Sequence, residues 1–310
     1  MASLSRTRAG AYAALVLTTL FWGSNPAVSR LLLERMSPMA LLWSRWALVI
    51  VLLLPLIWGE RAAIARALRH DWRVYLPFAL LGFAPQNMLI FFGLAGSSAM
   101  HLSLLNSAIP VLIILIGWLW LGRRPQRLES IGLAISLTGV LLIVSRGDLL
   151  ALLRLDLNPW DLALFGGMVV WSVYTIRLRE RPAALSLPGF VFVAAVLGNL
   201  VTLPFMAASL ARDGLPDLHG PSFIALLYVA ALPTLVAMVL FGHAVQRVGP
   251  VQAGIFTHLV PVFGAFFAAL LVGEALRPYH GLGFLLVAGG AIVSCLPAGR
   301  VLSSRPPPRG

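Results

Sequence analysis

A chain of 310 residues with 59% hydrophobic and 11% charged side chains has less than half the ~25% charge of a typical soluble domain. Its mean hydropathy of +0.91 excludes an ordinary water-soluble fold. The formal charge of +12 would suggest nucleic acid in a soluble protein, but all 23 basic residues are arginines set in short gaps between apolar runs, which fits membrane orientation and lipid headgroups.

A helical span needs about 20 apolar residues. The sequence predicts ten, at roughly 11–31, 38–58, 74–95, 99–121, 129–146, 160–179, 187–208, 222–245, 251–272 and 279–298. The first begins after Arg6 and Arg8 and carries Trp22-Gly23-Ser24-Asn25-Pro26 well inside it. Pro26 removes a backbone donor, and a polar interruption at membrane depth is tolerated only against protein or a water-filled cavity. The same cluster is no small-residue cleavage site, so this run reads as a retained first span. The single cysteine, Cys295, near the end of the last run, excludes an intrachain disulfide framework and any cysteine-based metal cluster. Residues 300–310, rich in proline and arginine, read as a disordered cytoplasmic tail.

With the N-terminus in the cytoplasm, the outer segments hold Arg30, Arg35, Arg146, Arg154, Arg212 and Arg277, and Arg45 falls inside the second span. All other arginines are cytoplasmic. This obeys the positive-inside rule with both termini inside and places the protein in a plasma membrane, a bacterial inner membrane by expectation.

The two halves repeat. Pro110 and Pro261 stand 151 residues apart, and at that spacing Gly122 meets Gly273, Gly132 meets Gly283 and Gly139 meets Gly290. Trp22 and Trp171 correspond at a spacing of 149. The chain therefore reads as an all-α polytopic membrane protein with residues 1–150 as one five-helix unit and 151–299 as a second. Five is odd, so the second copy is inverted. Inverted repeats characterise secondary transporters, whose substrate site lies near the midplane between the halves.

These features resemble the drug/metabolite transporter superfamily, specifically its ten-helix EamA-type exporters. The resemblance rests on LFWGSNPAVSR in the first span, on LLLERMSPMALLWSRW with Ser37-Pro38 and Arg45, and on PVFGAFFAALLVGEALRPYHGLGFLLVAGGAIV in the last two. It covers nearly the whole chain. It implies export, and among the branches it is nearest to exporters of amino acids, including aromatic ones. One departure is Gly122-Arg123 where the second half has Gly273-Glu274, so any role of that loop glutamate rests on one copy.

Polar groups inside spans are costly and are functional candidates by default. The substrate-binding set is Trp22, Asn25, Gln86, Asn87, His101, Asn106, Trp171, Tyr174, Thr257 and His258. At the repeat spacing Asn106 meets Thr257. The amides either join helix to helix or bind the carboxylate and amine of a substrate. Trp22 and Trp171 either pack helices or wall an apolar cavity. His101 lies near a span end, within reach of interfacial water, and His258 is deeper. Arg45 either snorkels to the outer surface, neutralises a helix terminus or attracts an anion; the structural role is the expectation.

No Asp or Glu lies deep in a predicted span, which argues against a membrane-carboxylate coupling mechanism and for facilitated transport. Proton coupling through histidine, drug antiport and export of a metabolite other than an amino acid stay open. HExxH and Walker motifs are absent, no charge ring marks a channel, and no nucleophile–base pair marks an enzyme. The expected partners are a small-molecule substrate and membrane lipids, with no cofactor, metal or nucleic acid. The chain is expected as a monomer or weak dimer.

Overall fold

A computed structural model of the chain describes residues 7–97, 99–154, 158–272, 275 and 277–296. The tail at 300–310 and the Gly273-Glu274 pair lie outside these residues. The helices are α1 (Arg8–Leu33), α2 (Pro38–Ile57), α3 (Arg61–Arg69), α4 (Trp72–Gly82), α5 (Ala84–Leu94), α6 (Ala99–Asn106), α7 (Ile109–Leu121), α8 (Arg127–Val144), α9 (Pro159–Arg177), α10 (Leu187–Asp213), α11 (Pro221–Val229), α12 (Ala237–Val248), α13 (Pro250–Phe256), α14 (Leu259–Val272) and α15 (Pro278–Cys295). A wide π-helical segment, Ala230–Val236, joins α11 to α12.

These form ten crossings, five in each half: α1, α2, α4–α5, α6–α7 and α8, then α9, α10, α11–α12, α13–α14 and α15. Among the described residues, nine helical segments are long and apolar enough to span a membrane. The tenth crossing, α1, has the length, 26 residues, but its threonines and the Ser24-Asn25-Pro26 cluster lower its hydropathy. An even number of crossings puts Arg8 and Cys295 on one side, here termed the terminal side; the opposite side is the far side. The short α3 occupies what the sequence reads as a basic connection. It buries Ile64 and Ala67 and keeps Arg61, Arg66 and Arg69 at the surface.

Local chemistry sets the helix ends. Ser37 and Ser186, at equivalent places in the halves, cap α2 and α10, accepting from the amides of Ala40 and Gly189 at 3.2 Å each. Asn158 and Asp161 form a capping box at the start of α9. Gly122 ends α7 with a positive φ of 65°, a conformation that costs glycine nothing.

Packing repeats as the sequence does. α1 lies on α14 and α12, and its counterpart α9 lies on α7 and α5. α2 packs on its own counterpart α10, and α8 on its counterpart α15. The last pair reveals the symmetry. A Cβ added to Gly132 would lie 2.5 Å from the Gly290 carbonyl oxygen, and one on Gly139 would lie 2.7 Å from that of Gly283. Ascending order on α8 meets descending order on α15, so equivalent helices run antiparallel across a two-fold axis perpendicular to them. The halves are inverted repeats.

Four crossings are irregular near mid-depth, and they too are equivalent in pairs. The third is broken at Phe83, whose backbone (φ −125°, ψ −144°) is not helical and which precedes Pro85. Its counterpart, the eighth, widens into the π segment around Pro233. The fourth is broken after Asn106 and the ninth after Phe256. Discontinuous helices of this kind form substrate sites in transporters.

Candidate functional site

The breaks in the fourth and ninth crossings follow one pattern. Ser107 donates its amide hydrogen to Leu104 O at 3.1 Å and its hydroxyl to the same oxygen at 2.5 Å. Thr257 does the same to Gly254 O at 2.8 and 2.7 Å. Ser107 is thus the structural counterpart of Thr257, one residue from the Asn106 that the proline register selects. Hydroxyl capping fixes where each helix stops, and the prolines follow at slightly different offsets. Thr257 is buried and turned on its own backbone, whereas Asn106 is exposed.

His258, next in the ninth crossing, is 1% exposed. Its Nε2 donates to Ser107 O at 3.0 Å, and its Nδ1 lies 2.8 Å from the Ser136 hydroxyl. One imidazole ties the ninth crossing to the breaks of the fourth and to α8. Gln86 works similarly, donating to Gly167 O at 3.2 Å and joining α5 to α9.

An aromatic cluster sits between α1, α9 and the eighth crossing. Trp22 meets Trp171 edge-on at 5.6 Å, and both rings pack on Phe241, at 5.1 and 5.7 Å. The Trp22 indole donates to Pro233 O at 3.0 Å. In the π segment, Thr234 donates its hydroxyl to Val229 O at 2.8 Å, the carbonyl that Pro233, having no N–H, cannot serve. Both tryptophans remain half-buried. Tyr174, which touches Trp171, is 1% exposed, and its ring lies flush against Gly82, so it fills the core between α4 and α9. Asn25 is half-buried one turn beyond Trp22 and accepts from Ser29 at 3.1 Å.

His101 does not end in interfacial water. Its Nδ1 donates to both oxygens of Asp161 at 3.0 Å, and the Ser97 hydroxyl also donates to Asp161. The Asn158 amide completes that carboxylate's shell at 2.8 Å. The pair locks α6 to the start of α9 at the far side. Sequence reading placed the histidine but missed its partner, because sixty residues separate them and Asp161 reads locally as a helix cap.

Arg45 does not snorkel: it is 7% exposed. Its Nη2 donates to Asn87 Oδ1 at 3.2 Å, while Nε is sealed without a partner. Asn87 is held by donating its amide to Phe83 O at 3.1 Å, across the break in the third crossing. The reciprocal clamp between Asn199 and Trp43 is also new to the structure. The Trp43 indole donates to Asn199 O at 3.2 Å and the Asn199 amide to Trp43 O at 3.3 Å, tying α2 to α10.

On the terminal side the halves meet. Ile113 of α7 packs against Gly254 of α13, and Tyr12 stacks on Phe256 at 5.6 Å while donating to Gln252 at 2.9 Å. A pocket of about 220 Å³ remains there, lined by Ile113, Gly117, Arg123, Ile176, Arg179 and Pro250 among others. Arg123 is held there by Glu129 at 3.0 Å.

The sequence profile of the EamA-like transporter family matches residues 9–145 and again residues 158–296. A protein of Archaeoglobus fulgidus named "Uncharacterized transporter" is 25% identical over 281 residues, covering 90% of this chain and 95% of its own. A protein of Escherichia coli (strain K12) named "Probable amino-acid metabolite efflux pump" is 26% identical over 293 residues, 90% of this chain and 92% of its own. A solved structure titled "Crystal structure of protein" superposes with a TM-score of 0.72 over 93% of this chain and 97% of its own, at 19% identity, which establishes the shared fold. With the family profile matched once in each inverted half and nearly end to end, the chain is a multi-pass membrane protein that belongs to the EamA-like transporter family.

Proposed function

We propose that this transporter exports small organic metabolites, foremost amino acids, by alternating access, with residues 1–150 and 151–299 as the two halves that rock. The carrying observation is Asn106: an exposed amide at the mid-depth break of the fourth crossing, on the far side of the Ile113–Gly254 contact that seals the terminal side. An amide facing hydrocarbon at that depth is costly, so its exposure supports a water-lined cavity open to the far side. Asn106, Asn25, Trp22 and Trp171 wall this cavity, and His101 lies toward its mouth. Gln86, Tyr174, Thr257 and His258 form the frame that holds them. The arginine distribution supports a cytoplasmic terminal side in a plasma membrane. Both halves lie in one chain, so a monomer suffices.

Facilitated transport accords with the buried acids: among the described residues Glu129 and Asp161 are the buried carboxylates, both near helix ends and both paired. A proton-coupled alternative has as its candidate the His101–Asp161 pair, in which the imidazole already faces a carboxylate; His258 bonds a carbonyl and a hydroxyl instead. The test is uptake of labelled aromatic and small amino acids by proteoliposomes, with and without an imposed pH gradient. Saturable uptake indifferent to the gradient is expected. Uptake that requires the gradient would establish coupling, and no uptake of any amino acid would move the substrate to another metabolite class.

A further inference from the structure

Arg45 is the unusual group of the molecule. Among the described residues no anion is bonded to it: its guanidinium donates to the neutral amide oxygen of Asn87, and Nε is buried with no acceptor. A guanidinium taken out of water without a counter-charge costs several kcal/mol, so a sequence that keeps one there gains something else from it. The next residue repeats the imbalance. Trp46 lies against Phe83 at 4.8 Å, and its indole N–H is also buried without an acceptor. Two consecutive residues of α2 thus bring unsatisfied donors to the break in the third crossing. Asn87 cannot supply what is missing: its amide nitrogen is committed to Phe83 O, which turns its oxygen to Arg45 and fixes the guanidinium plane. Asn87 itself is half-buried, whereas Phe83, at the break, is fully buried. The second half has no equivalent arginine; Ala194 stands at the corresponding place. One centre, rather than two, is therefore built.

We propose that Arg45 is the anion anchor of the transport path, taking the carboxylate of a small organic acid on its Nε–Nη edge, with Asn87 as its positioning residue. This edge presents two parallel N–H groups at the spacing of two carboxylate oxygens; it is sealed in this conformation, so a carboxylate reaches it only as the halves rock open, and then supplies the acceptor that Nε lacks. The assignment rests on reading the mid-depth breaks as the substrate path. It narrows the substrate to carboxylates: amino acids qualify, while amines, amides and neutral sugars lose the anchoring contact.

The test separates binding from transport. Purified protein in detergent is melted with L-phenylalanine, L-threonine and phenylacetate, and with L-phenylalaninamide and L-threoninamide. The acids raise the melting temperature and the amides do not; in R45Q the acids lose this effect, with affinity weakened about a hundredfold, the scale for truncating one partner of a buried charged pair. Because R45Q alters a buried site, N87D provides a second arm. An aspartate 3.2 Å from the guanidinium supplies an internal carboxylate that competes with the ligand's. N87D therefore folds at least as stably as the parent, and loses both the acid-induced shift and acid uptake in proteoliposomes. Equal shifts with acids and amides, no shift with any acid, or an N87D protein that responds like the parent would each overturn the anchor. Amide uptake as fast as acid uptake would overturn it while leaving the carrier reading intact, and an acid-specific shift without any uptake would leave the anchor standing and refute the carrier reading for these substrates.

Discussion

α8 and α15 meet carbonyl to glycine, with no room for a methyl group, while α6 and α13 stop partway through their crossings, and one imidazole, that of His258 just past α13, bonds the Ser107 carbonyl just past α6. The contrast separates two kinds of membrane packing in one molecule. The α8–α15 seam is continuous helix on continuous helix, closed by Gly132, Gly139, Gly283 and Gly290. Small residues allow this approach, and dispersion supplies its stability. The broken crossings carry the hydroxyl-bonded ends at Ser107 and Thr257, the buried imidazole of His258 and the exposed amide of Asn106. The seam fixes how the halves are related; the breaks give them something to bind. Substitutions in the seam and at the buried bonds that frame the breaks should therefore cost stability, and those at the exposed groups of the breaks should cost transport.

The largest effect is expected at Gly290. Its added Cβ would lie 2.5 Å from Gly132 O and 2.6 Å from Ser136 N, both backbone atoms that cannot yield. Gly290→Leu should cost about 3 kcal/mol or more, read as loss of monodisperse protein by size-exclusion chromatography. Asp161→Ala removes the His101 partner and half of a capping box together, and should cost about 3 kcal/mol, read as a lowered thermal midpoint. His258→Ala frees Ser107 O and Ser136 and should cost about 2 kcal/mol. If His258 is frame rather than proton carrier, the pH dependence of uptake in whatever protein folds should match the parent. Thr234→Val leaves Val229 O without its hydroxyl donor, costing about 1 kcal/mol. Asn106→Ala is the smallest in stability, within ~0.5 kcal/mol for an exposed side chain, yet should lower uptake about tenfold. An Asn106→Ala protein that unfolds, or a Gly290→Leu protein that folds and transports normally, would erase the division between seam and breaks.

The seam is legible in the sequence because glycines at a fixed offset are a pattern in the chain itself. Pro110 and Pro261 likewise announce the repeat, and the count of ten crossings follows from the apolar runs. The breaks are legible only as neighbourhoods. Proline register matches Asn106 to Thr257, but capping hydroxyls, not prolines, decide where a helix ends, and Ser107 supplies that hydroxyl in the first half. Partnerships across the fold leave no mark on the chain. Asp161 looks like a helix cap until His101 is seen against it, and nothing near Arg45 in sequence tells that it is buried rather than turned to the surface. Spacing groups Tyr174 with Trp171, yet Gly82, far earlier in the chain, makes the slot that buries it. The π segment at Pro233 is visible as a proline and a threonine, but not as the acceptor for Trp22.

The account depends most on what Asn106 faces. Asn106→Cys in a Cys295→Ser background, treated in sealed membranes with a membrane-impermeant thiol reagent from each side in turn, answers this directly. Reaction from the far side alone, slowed by transported substrate, is the expected result, with Ala291→Cys in the seam inert. A thiol at position 106 that reacts only with lipophilic reagents would place that side chain against lipid and contradict a central cavity.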